Sequence, residues 1–384
     1  MNASGMTPAR KGMTMDRGLL MVIAALTVIG VISVYSAGSE RSMALYGSPH
    51  TMFLNQLSRA FLGFLLLLVT ANVPYRIWNR LSWPVVGVAA LLLLMLFVSS
   101  HAVTSKGATR WLTLGPVRFQ PSEIARYAAV IFIAAWATRK GQLMERMVDG
   151  VVVPLTVMSA MAGLILLQPD FSTAAMLIVT VLMIQFVAGV KLSHIMTIFA
   201  PLSLVAFMAI WVSDYKRERI LSFLAPFKDP TNANYQSLQS WIGLGRGGIL
   251  GVGLGGSRQK LFFLPDAHTD FIYSIVGEEW GLIGTIGLMV LFLVLILRGF
   301  RIASRCQDPF GSYLAAGITF SIGLYALVNM GIAVGLLPST GLPLPLISYG
   351  GTSLMMTLAA LGIVLNISRY QSDRPVRAVQ RRER

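Results

Sequence analysis

Asp270 is the residue best placed for chemistry. The stretch Leu264-Pro265-Asp266-Ala267-His268-Thr269-Asp270-Phe271 leads straight into an apolar run of helical length, so this carboxylate stands at a helix entrance. Two uses compete there. An Asp at a helix start can accept the orphan N–H groups of the first turn. A carboxylate at a lipid–water boundary is also partly desolvated, which makes it a better proton acceptor and suits it to general-base work. Glu278 and Glu279 follow two turns deeper in the same run. An ionised group at that depth is costly, so a partner or a polar cavity is required.

Positive charge gathers near these acids. The segment 214–270 carries Lys216, Arg217, Arg219, Lys228, Arg246, Arg258 and Lys260, and the shorter loop 104–120 carries Lys106, Arg110 and Arg118. Arg holds phosphate by a two-pronged fork and Lys as a point charge, so a diphosphate headgroup is the obvious polyanion for such loops. A long loop can also carry positive charge passively. Gly243, Gly245, Gly247, Gly248, Gly251, Gly253, Gly255 and Gly256 crowd one part of 214–270. Such a run lets backbone N–H groups approach a ligand, or it is simply a flexible loop on the membrane, with Trp241, Phe262 and Phe263 at the interface. The spacing does not match a P-loop, which leaves a nucleotide site with little support. No nucleic-acid partner is expected either.

Three further stretches stand out. In Gln120-Pro121-Ser122-Glu123, the acid lies three residues before Arg126, a spacing that lets the two pair on one helix face. Gln168-Pro169-Asp170 reads as a plain turn. Leu337-Pro338-Ser339-Thr340-Gly341-Leu342-Pro343-Leu344-Pro345-Leu346-Ile347-Ser348-Tyr349-Gly350-Gly351 is apolar yet too rich in Pro and Gly for a regular helix. At membrane depth such a stretch must be enclosed by protein or line a cavity.

The elements that must position these residues are membrane helices. The chain of 384 residues is 55% hydrophobic and 12% charged, with a mean hydropathy of +0.69. A soluble domain carries about 25% charged residues. The apolar residues fall in runs of about twenty, enough to cross about 30 Å of hydrocarbon as a helix. The expected fold is all-α, a polytopic integral membrane protein with about ten transmembrane helices. Its spans lie near 19–38, 52–72, 84–103, 121–138, 151–168, 172–190, 193–213, 271–298, 312–337 and 346–368. Arg59 and Arg126 lie within spans. The distribution of Lys and Arg places both termini in the cytoplasm and 214–270 outside. The domain reading is a tail of 1–18, a membrane domain of 19–368, and a basic tail of 369–384 suited to anionic lipid. The single Cys306 allows no intrachain disulfide.

Six stretches in order resemble the SEDS family (shape, elongation, division and sporulation proteins), the FtsW/RodA group. They are Lys106-Gly107-Ala108-Thr109-Arg110-Trp111, Gln120-Pro121-Ser122-Glu123, Gln168-Pro169-Asp170, Tyr235-Gln236 with Gln239-Ser240, Leu264-Pro265 with His268-Thr269-Asp270-Phe271, and Pro345-Leu346-Ile347-Ser348-Tyr349-Gly350-Gly351. The resemblance spans nearly the whole chain. It implies a glycosyltransferase that polymerises peptidoglycan glycan strands from lipid II, with Asp270 as catalytic base. Lys106, Arg110 and Arg118 match the family's basic loop, and Glu123, Arg246, Lys260, His268, Ser348 and Tyr349 are carried over as substrate-binding candidates. It further implies a class B penicillin-binding protein as partner, other divisome membrane proteins, and a place in the bacterial inner membrane at the division septum. Gly245-Arg246-Gly247, Gly253-Leu254-Gly255 and Ser257-Arg258-Gln259-Lys260-Leu261 resemble the division branch, and Ala267 stands where the elongation branch usually has Arg. A divalent cation, Mg or Mn, is left open as cofactor with no metal ligands assigned. Two rivals stay open: an elongation-type polymerase, and a flippase that moves lipid II without bond chemistry. A pure scaffold would leave Asp270 unexplained.

Overall fold

The computed structural model describes residues 14–98, 102–105, 108–114, 117–212, 217, 223 and 235–371. Its helices in chain order are α1 (Arg17–Tyr46), α2 (Thr51–Asn72), the short α3 (Arg76–Arg80), α4 (Ser82–Val98), α5 (Pro121–Lys140), α6 (Val153–Leu166), α7 (Phe171–Val187), α8 (Leu192–Val212), α9 (Tyr235–Gly247), α10 (Ile272–Arg305), α11 (Pro309–Ala333) and α12 (Gly351–Ser368). All of these but α3 and α9 overlap the ten expected spans. The reading as a polytopic all-α membrane protein is therefore borne out.

Among the described residues, six helices are long and apolar enough to cross a membrane: α1, α2, α6 with its irregular lead-in from Val148, α10, α11 and α12. The apolar stretches of α4, α7 and α8 are shorter. By contrast, α5 carries Glu123, Arg126, Arg139 and Lys140, yet three quarters of its residues are buried. Ala125, Ala128, Ala129, Ala134, Ala135 and Ala137 are all buried on it, and α4, α7, α11 and α12 pack around it. Small side chains let neighbouring membrane helices approach closely, and that is where dispersion and hydrogen bonding act in lipid. The α2–α12 pair shows both, with Gly63 under Leu358 and the Thr70 hydroxyl donating to Ala359 O at 2.8 Å.

Two expectations need correction. The ninth span was expected to reach 337 and the tenth to start at 346, but α11 stops at Ala333 and α12 starts at Gly351. Pro338, Pro343 and Pro345 lack the N–H a helix needs, which prevents continuation on either side. The loop 104–120 is also more than a connector. Ala102–Ser105, Ala108–Leu114 and Val117–Phe119 form a three-stranded antiparallel sheet in the order β1-β2-β3, with Leu112 opposite Phe119.

The two ends of the membrane domain meet. Asp16 N–H donates to Ser368 Oγ at 3.0 Å, and the Asp16 carboxylate pairs with Arg298 at 2.8 Å. The start of α1 thus lies beside the end of α12. Cys306 sits at that same end, just after α10, where burial pushes its thiol up to about 12 and keeps it protonated.

Candidate active site

At the opposite end, the chain from Asp266 to Phe271 turns tightly into α10. Thr269 N–H and Asp270 N–H both donate to Asp266 O, at 3.0 and 3.1 Å. The cap position of α10 belongs to Phe271, and Asp270 immediately precedes it. Asp270 is half-buried. The buried Asn329 on α11 donates to Asp270 O at 2.8 Å and to Leu342 O at 2.7 Å. One amide thus ties the turn to the broken stretch 334–350. A Cβ at Gly341 would lie 3.5 Å from Asp270 Oδ2, and φ there is 75°, so a glycine keeps this stretch close to the carboxylate.

The broken stretch is enclosed by protein. Leu342, Leu344, Leu346 and Ile347 are buried. Ser348 Oγ receives Leu344 N–H at 2.8 Å and donates to Thr269 O at 2.5 Å, while Tyr349 N–H donates to His268 O at 2.9 Å. The rings of His268 and Tyr349 lie 5.8 Å apart. On α2, Gln56 donates to Ser348 O at 3.2 Å, and the Arg59 guanidinium lies 4.9 Å from the centre of the Tyr349 ring. His268, Asp270, Ser348 and Tyr349 are therefore gathered on one wall. Asn329 and Arg59 belong to it and were missed as site residues. The signal for both was a polar side chain inside an apolar span.

The other candidates lie elsewhere. Glu123 pairs with Arg126 at 3.0 Å, three residues apart as the spacing suggested. Arg126 Nη2 also donates to Tyr127 OH at 2.8 Å, and its guanidinium lies 4.1 Å from the Tyr325 ring centre. Arg110 donates to Gln168 O at 3.2 Å and to Pro169 O, and its Nε is 3.8 Å from Asp170 Oδ2. Asp170 in turn accepts from Thr173 N–H at 3.2 Å and caps α7, so the plain turn also anchors the basic sheet. Arg118 is exposed and lies 4.8 Å from the Trp111 ring centre. Lys106 lies outside the described residues.

Arg246 and Lys260, expected to face a substrate, are engaged with the two deep glutamates instead. Glu278 is 0% exposed and accepts from Arg246 Nη1 at 2.7 Å, Arg258 N–H at 3.0 Å, Gln259 N–H at 3.3 Å and the Ser257 hydroxyl. Glu279 accepts from Ser36 Oγ at 2.5 Å, Lys260 Nζ at 3.3 Å and Ser257 N–H at 3.4 Å. The reason is electrostatic: a buried carboxylate needs a counter-charge and several donors, and the loop cations are the ones within reach.

The Gly-rich run has a related use. α10 is broken at Gly281, where φ is 67° and ψ is −163°. The segment 248–253 fills the break. Val252 and Gly253 N–H donate to Glu278 O and Glu279 O at 3.0 Å each, while Leu282 and Ile283 N–H donate to Gly248 O and Ile249 O at 2.9 and 3.3 Å. The backbone does make a close approach here, to the split helix. A Cβ at Gly281 would overlap Ile249 O and Gly251 N. Gly281→Ala is therefore expected to destabilise the protein by more than the ~1–3 kcal/mol of a disfavoured backbone conformation. Melting in detergent checks this, and an unshifted transition would show that the break is not tightly held.

A bundle of apolar helices, several of membrane length, with a half-buried carboxylate at one end between a split helix and an enclosed Pro-rich stretch, defines a polytopic membrane protein. The chain belongs to the FtsW/RodA/SpoVE family, described as cell cycle protein, which matches residues 17–373. It is 40% identical over 361 residues to a Geobacter metallireducens protein named a probable peptidoglycan glycosyltransferase FtsW, covering 94% of this chain and 96% of that one. A solved structure described as the structural coordination of polymerization and crosslinking by a peptidoglycan synthase complex aligns with a TM-score of 0.77 at 31% identity, over 94% of this chain and 100% of that one. The Thermus thermophilus rod shape determining protein RodA aligns with a TM-score of 0.68 at 27% identity, over 95% of this chain and 100% of that one. The resemblance drawn from the six motifs is thereby borne out.

Proposed function

We propose that this chain is a peptidoglycan glycosyltransferase of the division branch, polymerising lipid II into glycan strands at the septum. The observation that carries the reading is Asp270, a half-buried carboxylate held against Gly341 by backbone contacts to Asn329 and Asp266. The name of the Geobacter metallireducens relative, a probable peptidoglycan glycosyltransferase FtsW, supports the activity and the branch.

In this mechanism Asp270 accepts the proton of the acceptor sugar's 4-hydroxyl as that oxygen forms a bond to the anomeric carbon of the donor. The bond from that carbon to the lipid diphosphate breaks, and the diphosphate leaves with the electron pair. Positive charge near the leaving group stabilises it, and Lys106, Arg110 and Arg118 are the candidates. Arg246 and Lys260 act differently: they hold the half-helix behind Asp270 through Glu278 and Glu279.

Both termini are assigned to the cytoplasm, in keeping with the contact of Asp16 with Ser368 and Arg298. The basic tail 369–384 is then on the side where anionic lipid would attract it. A class B penicillin-binding protein is assigned as partner, in keeping with the neighbouring structure described as a synthase complex. The test is polymerisation of purified lipid II in nanodiscs, with and without that partner. Weak synthesis alone and a clear gain with the partner are expected. Lipid II movement across the bilayer with no glycan product in either case would reject the reading in favour of transport.

A further inference from the structure

Two cations lie within the apolar spans, and they are treated differently. Arg126 meets Glu123, whereas among the described residues no carboxylate pairs with Arg59. Arg59 is the single charged residue of α2. It lies eight residues after Thr51, which at the rise of a helix is about 12 Å along the axis. An uncompensated cation inside a span is costly and calls for a partner.

The surroundings of Arg59 restrict what that partner can be. Its guanidinium rests on the Tyr349 ring, 4.9 Å from the centre, a stacking that fixes the plane and leaves donors at its edge. Tyr349 is held by its N–H bond to His268 O, so Arg59 shares the wall from which Asp270 projects two residues later. A Cβ at Gly351 would come within 2.9 Å of Arg59 Nε, which places the cation against the start of α12. The free N–H groups there carry partial positive charge and cannot neutralise it. Only an anion can.

We propose that Arg59 binds the phosphate of a membrane lipid at the mouth of the site. The chemistry follows from the position: the guanidinium is half-buried on an apolar helix, within reach of lipid but set below the helix start. Its planar fork matches phosphate oxygens. Two lipids offer that group, the diphosphate of a polyprenyl-linked substrate and the headgroup of an anionic phospholipid. The first source rests on the glycosyltransferase reading, and the second does not.

The experiment compares the full chain with Arg59→Gln and Arg59→Lys in nanodiscs. Binding of undecaprenyl diphosphate is titrated in phosphatidylcholine discs, and retention of phosphatidylglycerol is measured in mixed discs. Melting temperature serves as the folding control. If the substrate diphosphate is the source, Arg59→Gln weakens undecaprenyl diphosphate binding about tenfold or more, the usual worth of a charge-assisted bond, and Arg59→Lys recovers part of it. KM for lipid II then rises in proportion while kcat holds. If the phospholipid is the source, phosphatidylglycerol retention falls and undecaprenyl diphosphate binding does not. A folded Arg59→Gln protein that changes neither overturns the proposal. Both binding assays read Arg59 even if the wild-type chain makes no glycan, so failure of the polymerase reading and failure of this one are separable.

Discussion

Asp270→Asn is expected to lower glycan synthesis from lipid II by about a hundredfold or more, the usual contribution of a positioned acid–base group. The amide keeps the size of the side chain and cannot take up the 4-hydroxyl proton. The structure makes this substitution a clean test. Phe271, not residue 270, holds the cap position of α10, and Asn caps about as well as Asp where a first-turn N–H needs an acceptor. Two contacts that fix the turn use backbone atoms and survive the substitution, Asn329 donating to Asp270 O and Asp270 N–H donating to Asp266 O. The variant should therefore fold, melt near the wild type and bind lipid II, yet make at most about a hundredth of the wild-type strand. Gel separation of glycan products, with substrate binding measured in parallel, checks each part. Synthesis at close to the wild-type rate would remove the proposed base.

The second large effect is on stability. Arg126→Met should destabilise the protein by about 3–5 kcal/mol, because it strands a buried carboxylate without its counter-charge. Arg126 is 1% exposed and Glu123 4%. The guanidinium also links three helices: it pairs with Glu123 of its own α5, lies against Tyr325 of α11, and reaches Thr357 Oγ1 of α12 at 3.3 Å. Glu123→Gln paired with Arg126→Met removes both charges and should recover much of the loss, since replacing a whole buried pair by neutral groups is often close to neutral. Melting of the single and double variants in one detergent decides the matter. If the double variant is no more stable than the single one, ion pairing is not what Arg126 contributes.

Local chemistry carried much of this protein in the sequence by itself. Apolar runs of membrane length set ten spans, because hydrogen bonds inside each helix satisfy its own backbone in lipid. The Glu123–Arg126 pair was legible from a three-residue spacing, a property of one helix turn. The need for partners at Glu278 and Glu279 was legible too, since burying a charge has a cost wherever it occurs. Which groups answered that need was a tertiary matter. Arg246 lies 32 residues before Glu278 and Ser36 lies 243 before Glu279, and no periodicity links positions so far apart. The break at Gly281 was hidden for the same reason: a glycine inside an apolar run reads as helix until the segment 248–253 is seen to supply the missing hydrogen bonds. Asn329 and Arg59 were visible as polar residues in apolar spans. Only the fold placed one against the backbone of Asp270 and the other on the ring of Tyr349, because helix packing, unlike helix formation, is decided between segments distant along the chain.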